Sequence, residues 1–84
     1  MTRAEIYALI DAERERQARL WNREHDHGYG DCSSDGVSWP VKVSVLTEEC
    51  GEVARAMLDG STNLRDEVVQ VAAVAVAMLE SLPA

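Results

Sequence analysis

The chain has 84 residues, with 15 Asp and Glu against 8 Lys and Arg, for a net charge of −7. That length allows one small domain with a limited core. That charge argues against nucleic acid or an anionic membrane as a partner. Hydrophobic residues reach 46% but aromatics only 5%, with no Phe. The core must therefore be built from Ala, Val and Leu, and association with further copies would help it. Cys32 and Cys50 make no disulfide framework and point to a reducing compartment, such as the cytoplasm. Residues 1–20 are charged throughout, so no signal peptide is expected.

In chain order, Thr2 and Glu5 form a capping-box start. Ile6, Leu9, Ile10, Ala12, Gln17, Leu20 and Trp21 then mark a broad apolar face with polar breaks. Glu13, Arg14, Glu15, Arg16 and Arg19 occupy the remainder. The pattern predicts a helix over about 3–24, with Trp21 in the core. Residues 25–36 hold Gly28, Gly30, Ser33, Ser34, Gly36 and three Asp, and read as a loop. A loop of that length suggests function or mobility. Its His25, His27 and Cys32 lack a fourth partner and match no common zinc spacing, while either His could instead contact a substrate.

Ser38 caps a second helix whose first turn holds Pro40 and which runs to about Leu58. Asp59-Gly60 stops it, and Cys50 is expected to face the core. A third helix is capped by Ser61, Thr62 or Asn63 and runs to about Ser81. Val68 to Leu79 is apolar on every side except at Gln70. This stretch is too short to span a bilayer. A helix apolar all round is buried all round, so a partner subunit is expected. No Gly-rich phosphate loop, Ser-His-Asp set or dinucleotide fingerprint is visible.

Two acidic clusters lie either side of the predicted turn. Glu48, Glu49 and Glu52 sit on the second helix, and Asp66, Glu67 and Gln70 on the third. Glu52 is eight positions before Gly60 and Glu67 seven after it. In an antiparallel hairpin both would lie about 11–12 Å from the turn, with Glu49 and Gln70 level one turn further on. Glutamates at i and i+3 share a face and repel. A solvated rim is the ordinary fate of such charges, but Val45, Leu46, Val53, Met57 and Leu58 surround them. A divalent cation would remove the repulsion. Oxygen-only ligands suit Mg²⁺ or Mn²⁺.

Thr47-Glu48-Glu49-Cys50-Gly51-Glu52, a spacer, then Asp66-Glu67-Val68-Val69-Gln70 resembles the signature of the MazG-like, all-α nucleotide pyrophosphohydrolases. The resemblance spans about residues 14–81 and strengthens from Trp39 onward. It implies an all-α fold: a three-helix protomer with an antiparallel catalytic hairpin, assembled into a homodimer or homotetramer. It also implies Mg²⁺-dependent hydrolysis of a nucleoside triphosphate to monophosphate and pyrophosphate. Glu49, Glu52 and Glu67 match metal ligands. Glu48 matches a ligand or a group that positions or deprotonates water, and Glu49 shares the latter role.

Gln70 departs from the family's final Asp. Its amide oxygen can coordinate a metal without charge, or it is a buried Gln bonded to neighbours. Asp66, on the same stripe as Asn63, Glu67 and Gln70, could supply the missing carboxylate. Lys42 is placed to reach a phosphate or to be a surface charge. Arg55 could pair with Glu52 or neutralise a phosphate, and Trp39 could stack on a nucleobase or pack. Arg65, near the turn, reads as solvent-facing. The alternative is a non-catalytic module of the same fold used for assembly or nucleotide sensing. A third reading is a structural bundle with a solvated acidic rim.

Overall fold

The computed structural model describes residues 1–83. Among them are helix α1 (Arg3–Leu20), a two-stranded ribbon of β1 (Glu24–His25) and β2 (Gly28–Tyr29), then helices α2 (Trp39–Leu58) and α3 (Leu64–Glu80). Among the described residues, no helix is long and apolar enough to cross a membrane.

Local chemistry fixes most helix ends. The Glu5 N–H donates to Thr2 Oγ1 at 3.1 Å and the Glu5 carboxylate accepts from the Thr2 N–H, which closes the capping box. Ser38 accepts from the Val41 N–H at the start of α2, with Pro40 in the first turn. The end of α2 is a Schellman motif: the Ser61 N–H reaches Ala56 O at 2.9 Å and the Gly60 N–H reaches Met57 O at 3.4 Å. Gly60 has φ 67°, the left-handed conformation that this motif requires. Asn63 occupies the N-cap of α3 without a side-chain cap bond. Ser61 serves the turn instead, accepting from the Asn63 N–H at 3.1 Å.

Two expectations about the first half are corrected. Helix α1 ends at Leu20, not near residue 24, because Trp21 at φ −103° and ψ 10° closes it and the Arg23 N–H turns back onto Trp21 O at 2.7 Å. The segment after it is not all loop. Glu24 pairs with Tyr29 and His25 with Gly28, and Gly28 bridges on to Val37. Gly28 adopts φ 122°, and a Cβ there would overlap the Gly36 carbonyl. No sequence periodicity announces a ribbon this short.

Helix α3 is the centre of the fold. It packs on both α1 and α2, whereas α1 and α2 do not pack on each other among the described residues. Ala73 and Ala77 are almost fully buried, and their small side chains let both neighbours approach. Cys32, Val74 and Ala77 form the core cluster, with Val45, Leu46 and Met78 against it. The core is as thin as an Ala- and Val-rich composition implies. Helix α3 is not buried on all sides within one chain: Val68 is 49% and Leu79 67% exposed. Cys50, expected inside, is exposed, because α2 turns Val45 and Leu46 toward the core instead.

Residues 21–38 close the gap between α1 and α2. Arg14 ties them down. It is a buried arginine whose Nη1 donates to Asp31 Oδ2 at 2.9 Å and whose Nε donates to Glu80 Oε1 at 2.7 Å. Asp31 also accepts from the Ser33 N–H and hydroxyl. One guanidinium thus joins α1, the connecting segment and the end of α3.

Candidate functional site

The backbones of α1 and α2 do not approach closely among the described residues, and a cavity of about 620 Å³ lies between them, within the range of small-molecule sites. Helix α1 contributes Glu13, Arg16, Gln17 and Leu20, and the connecting segment Trp21, His25, Asp31 and Cys32. Helix α2 contributes Val41, Val45, Glu48 and Glu49, and Gln70 and Val74 of α3 line the far side. The cavity therefore combines an apolar wall with a few polar groups at one end.

Glu49 is the focus of that polar end. It is half-buried, and its Oε2 is fully buried with no hydrogen-bond partner among the described residues. Burial pushes its carboxyl above the usual range, and the charges of Glu67, Glu48, Glu52 and Glu13 push it further. Acidic groups from all three helices therefore act on one orphaned oxygen.

The other expected metal ligands divide. Gln70 is half-buried on the cavity wall. Glu52 is exposed and Glu67 half-buried, and neither lines the cavity. Asp66 is exposed. Among the described residues, no three His, Cys, Asp or Glu side chains are gathered closely enough to hold a metal ion. The acidic groups therefore share an electrostatic field around Glu49 without forming a closed coordination shell.

None of the three expected substrate contacts lines the cavity. Lys42 is 2% exposed, with its Nζ 5.1 Å from the centre of the Trp39 ring. The two residues are one helical turn apart, so the aromatic face covers the ammonium. Trp39 itself is partly exposed and Arg55 is exposed. Trp21, expected in the core, is 38% exposed and forms part of the cavity wall. The Arg23 guanidinium lies 4.8 Å over its ring, and His25 meets its edge at 5.3 Å.

His25 is committed to structure. Its Nε2 lies 2.7 Å from Gly30 O, and its Nδ1 accepts from the His27 N–H at 3.2 Å. These partners assign the Nε2–H tautomer and leave no ring nitrogen for a metal. Burial and the neighbouring Asp31 push the Cys32 thiol up, which suits a packing role rather than a nucleophile.

Sequence reasoning missed the contribution of α1. Glu13 accepts from Arg16 through Nε and Nη2, both at 2.8 Å, and from Gln17 Nε2 at 3.2 Å. The Arg16 hydrogen bonds hold the Glu13 carboxyl below its usual range despite partial burial. One signal was available. Gln17 interrupts an otherwise apolar stripe, and a polar residue there needs partners. Comparison of the chain with known protein families, curated proteins and solved structures gives no significant match.

Proposed function

We propose that the cavity between α1 and α2 is the site of a Mg²⁺-dependent nucleoside triphosphate pyrophosphohydrolase resembling the MazG-like enzymes. The observation that carries this reading is Glu49, a half-buried carboxylate with an orphaned oxygen, its carboxyl raised first by burial and then by acidic neighbours on three helices. A carboxylate in that position is unfavourable until a cation arrives. The donor set contains only oxygen, which suits Mg²⁺ or Mn²⁺.

Glu49 and the Gln70 amide oxygen would hold the cation from the cavity wall, and Glu52 and Glu67, which lie outside the cavity lining, would complete its shell only by closing in from an antiparallel hairpin of α2 and α3. Bound Mg²⁺ would neutralise charge on the triphosphate and lower the pKa of attacking water. Glu48, exposed and lining the cavity, would be the base that takes a proton from attacking water, with Glu49 as the second candidate. The apolar wall of Trp21, Val41 and Val45 covers the nucleoside and excludes water from one side. The products are a nucleoside monophosphate and pyrophosphate.

A homodimer or homotetramer belongs to the same reading. Val43, Val68, Val76 and Leu79 leave apolar surface on α2 and α3 that a second copy would cover.

The test is a thermal melt with and without MgCl₂. A ligand that binds only the folded state raises the melting temperature. Glu49→Gln and Glu67→Gln should each abolish most of the gain. Equal Mg²⁺ responses in wild type and both variants would remove the metal-site assignment. A second reading, a nucleotide-sensing module without turnover, is favoured by Gln70 in place of a carboxylate and by the open arrangement of the acids. It is distinguished by nucleotide binding in Mg²⁺ without release of pyrophosphate.

A further inference from the structure

We infer that Arg16 is a phosphate-contact residue of this cavity and that Glu13 acts as its positioning residue. This rests on the proposed nucleotide site and assigns it a contact on α1 that the acidic motifs do not contain.

Arg16 binds Glu13 side-on, through Nε to Oε1 and Nη2 to Oε2. That mode uses two of its five donors and leaves the end-on fork, one N–H from each terminal nitrogen, unused. The end-on fork matches two oxygens of a phosphate or carboxylate. No other hydrogen bond to Arg16 is present among the described residues.

Surface pairs at i,i+3 are usually loose, and this one differs in three respects. Glu13 is nearly covered, with its side chain 12% exposed against 52% for Arg16. Gln17, a buried residue, also donates to the Glu13 carboxylate, at the Oε2 that accepts from Arg16 Nη2. Both Glu13 and Arg16 line the cavity, where Arg16 is the one arginine or lysine. The guanidinium is therefore held along one edge with its other donors unused, in the same cavity lining as Glu48 and Glu49. Glu13 offsets its net charge, so its contribution is orientation more than attraction. Only an anion carrying its own cation would approach such an acidic cavity, and a Mg²⁺-polyphosphate is that kind of ligand.

The experiment compares wild type with Arg16→Gln, Arg16→Lys and Glu13→Gln in two readouts. One is calorimetric binding of pyrophosphate in MgCl₂. The other is steady-state hydrolysis of nucleoside triphosphates. Arg16 is half-exposed, so its variants should fold, and a melt in MgCl₂ without nucleotide should show the wild-type Mg²⁺ response.

Arg16→Gln is expected to weaken pyrophosphate binding and raise KM by about tenfold, with kcat changed less than about threefold. Arg16→Lys should recover only a minor part, since an ammonium has no fork. Glu13→Gln should give an intermediate loss in KM. Unchanged KM and pyrophosphate affinity in Arg16→Gln, in a protein that hydrolyses triphosphates, would overturn the Arg16 assignment alone. A wild-type protein that neither binds Mg²⁺-pyrophosphate nor releases it from any triphosphate would overturn both the assignment and the site.

Discussion

Glu49 carries an unfavourable charge in the metal-free fold, and under the proposed Mg²⁺ site a cation would offset it, so both effects can be measured at one residue. Its folded pKa lies above the ordinary value of 4.5, first from burial and then from four acidic neighbours. A carboxyl raised in this way favours folding while protonated. That stability is present below the unfolded pKa and is lost as pH rises through the folded pKa. Glu49→Gln should therefore melt higher than wild type at pH 8 in EDTA, with the advantage gone below about pH 4. In MgCl₂ at pH 8 the order should narrow or reverse, because only wild type gains from the cation. A variant no more stable than wild type in EDTA would show that the charge on Glu49 costs nothing. Gln70→Asp tests the neighbouring position. It adds a carboxylate on the cavity wall, so calorimetry should record tighter Mg²⁺ binding without loss of hydrolysis. If affinity is unchanged and the EDTA melt drops, Gln70 is packing only, because a buried Asp without a metal costs up to a few kcal/mol.

At the level of elements, the connecting segment of residues 21–38 depends on one buried guanidinium. Burial alone would raise the Asp31 carboxyl, but the Ser33 hydroxyl, the Ser33 N–H and Arg14 outweigh it and hold it below the ordinary 3.8. A depressed carboxyl stabilises above its unfolded pKa, and that contribution disappears as pH falls through the folded pKa. Asp31→Asn should cost about 1–2 kcal/mol at pH 7, read by urea denaturation, and progressively less as pH falls through the lowered Asp31 carboxyl. A loss that persists undiminished in acid would mean that shape, not charge, holds the segment. The helix ends were legible because caps are local: Thr2 with Glu5, Ser38 with Pro40, and Gly60 each act within a few residues. The ribbon was not legible, because Gly28 meets Val37 and Gly36 through a fold-dependent approach. The apolar Leu20-Trp21 pair made α1 read too long, since apolar spacing alone does not distinguish a helix face from a cavity wall.

Across the whole molecule, the arrangement of three helices about α3 decides what could be read. The acidic motifs of α2 and α3 were visible because both helices and the turn between them lie close in sequence. Glu13 and Arg16 were not, because α1 reaches the cavity only through its packing on α3 and through Arg14, which bonds to Glu80 at the far end of the chain. Lys42 read as a surface or phosphate-facing charge, but the fold buries it, with its Nζ against the Trp39 ring. The thin core and the exposed Val43, Val68, Val76 and Leu79 lead to a further expectation: sedimentation at micromolar concentration should show a dimer or tetramer. A folded monomer there would remove the assembly from the account. The central claim is tested most directly by incubating the protein with a panel of nucleoside triphosphates in MgCl₂ and resolving the phosphorus products. The account predicts equal amounts of nucleoside monophosphate and pyrophosphate, suppressed by EDTA and by Glu49→Gln. Release of orthophosphate and nucleoside diphosphate, or no metal-dependent product from any nucleotide, would contradict it.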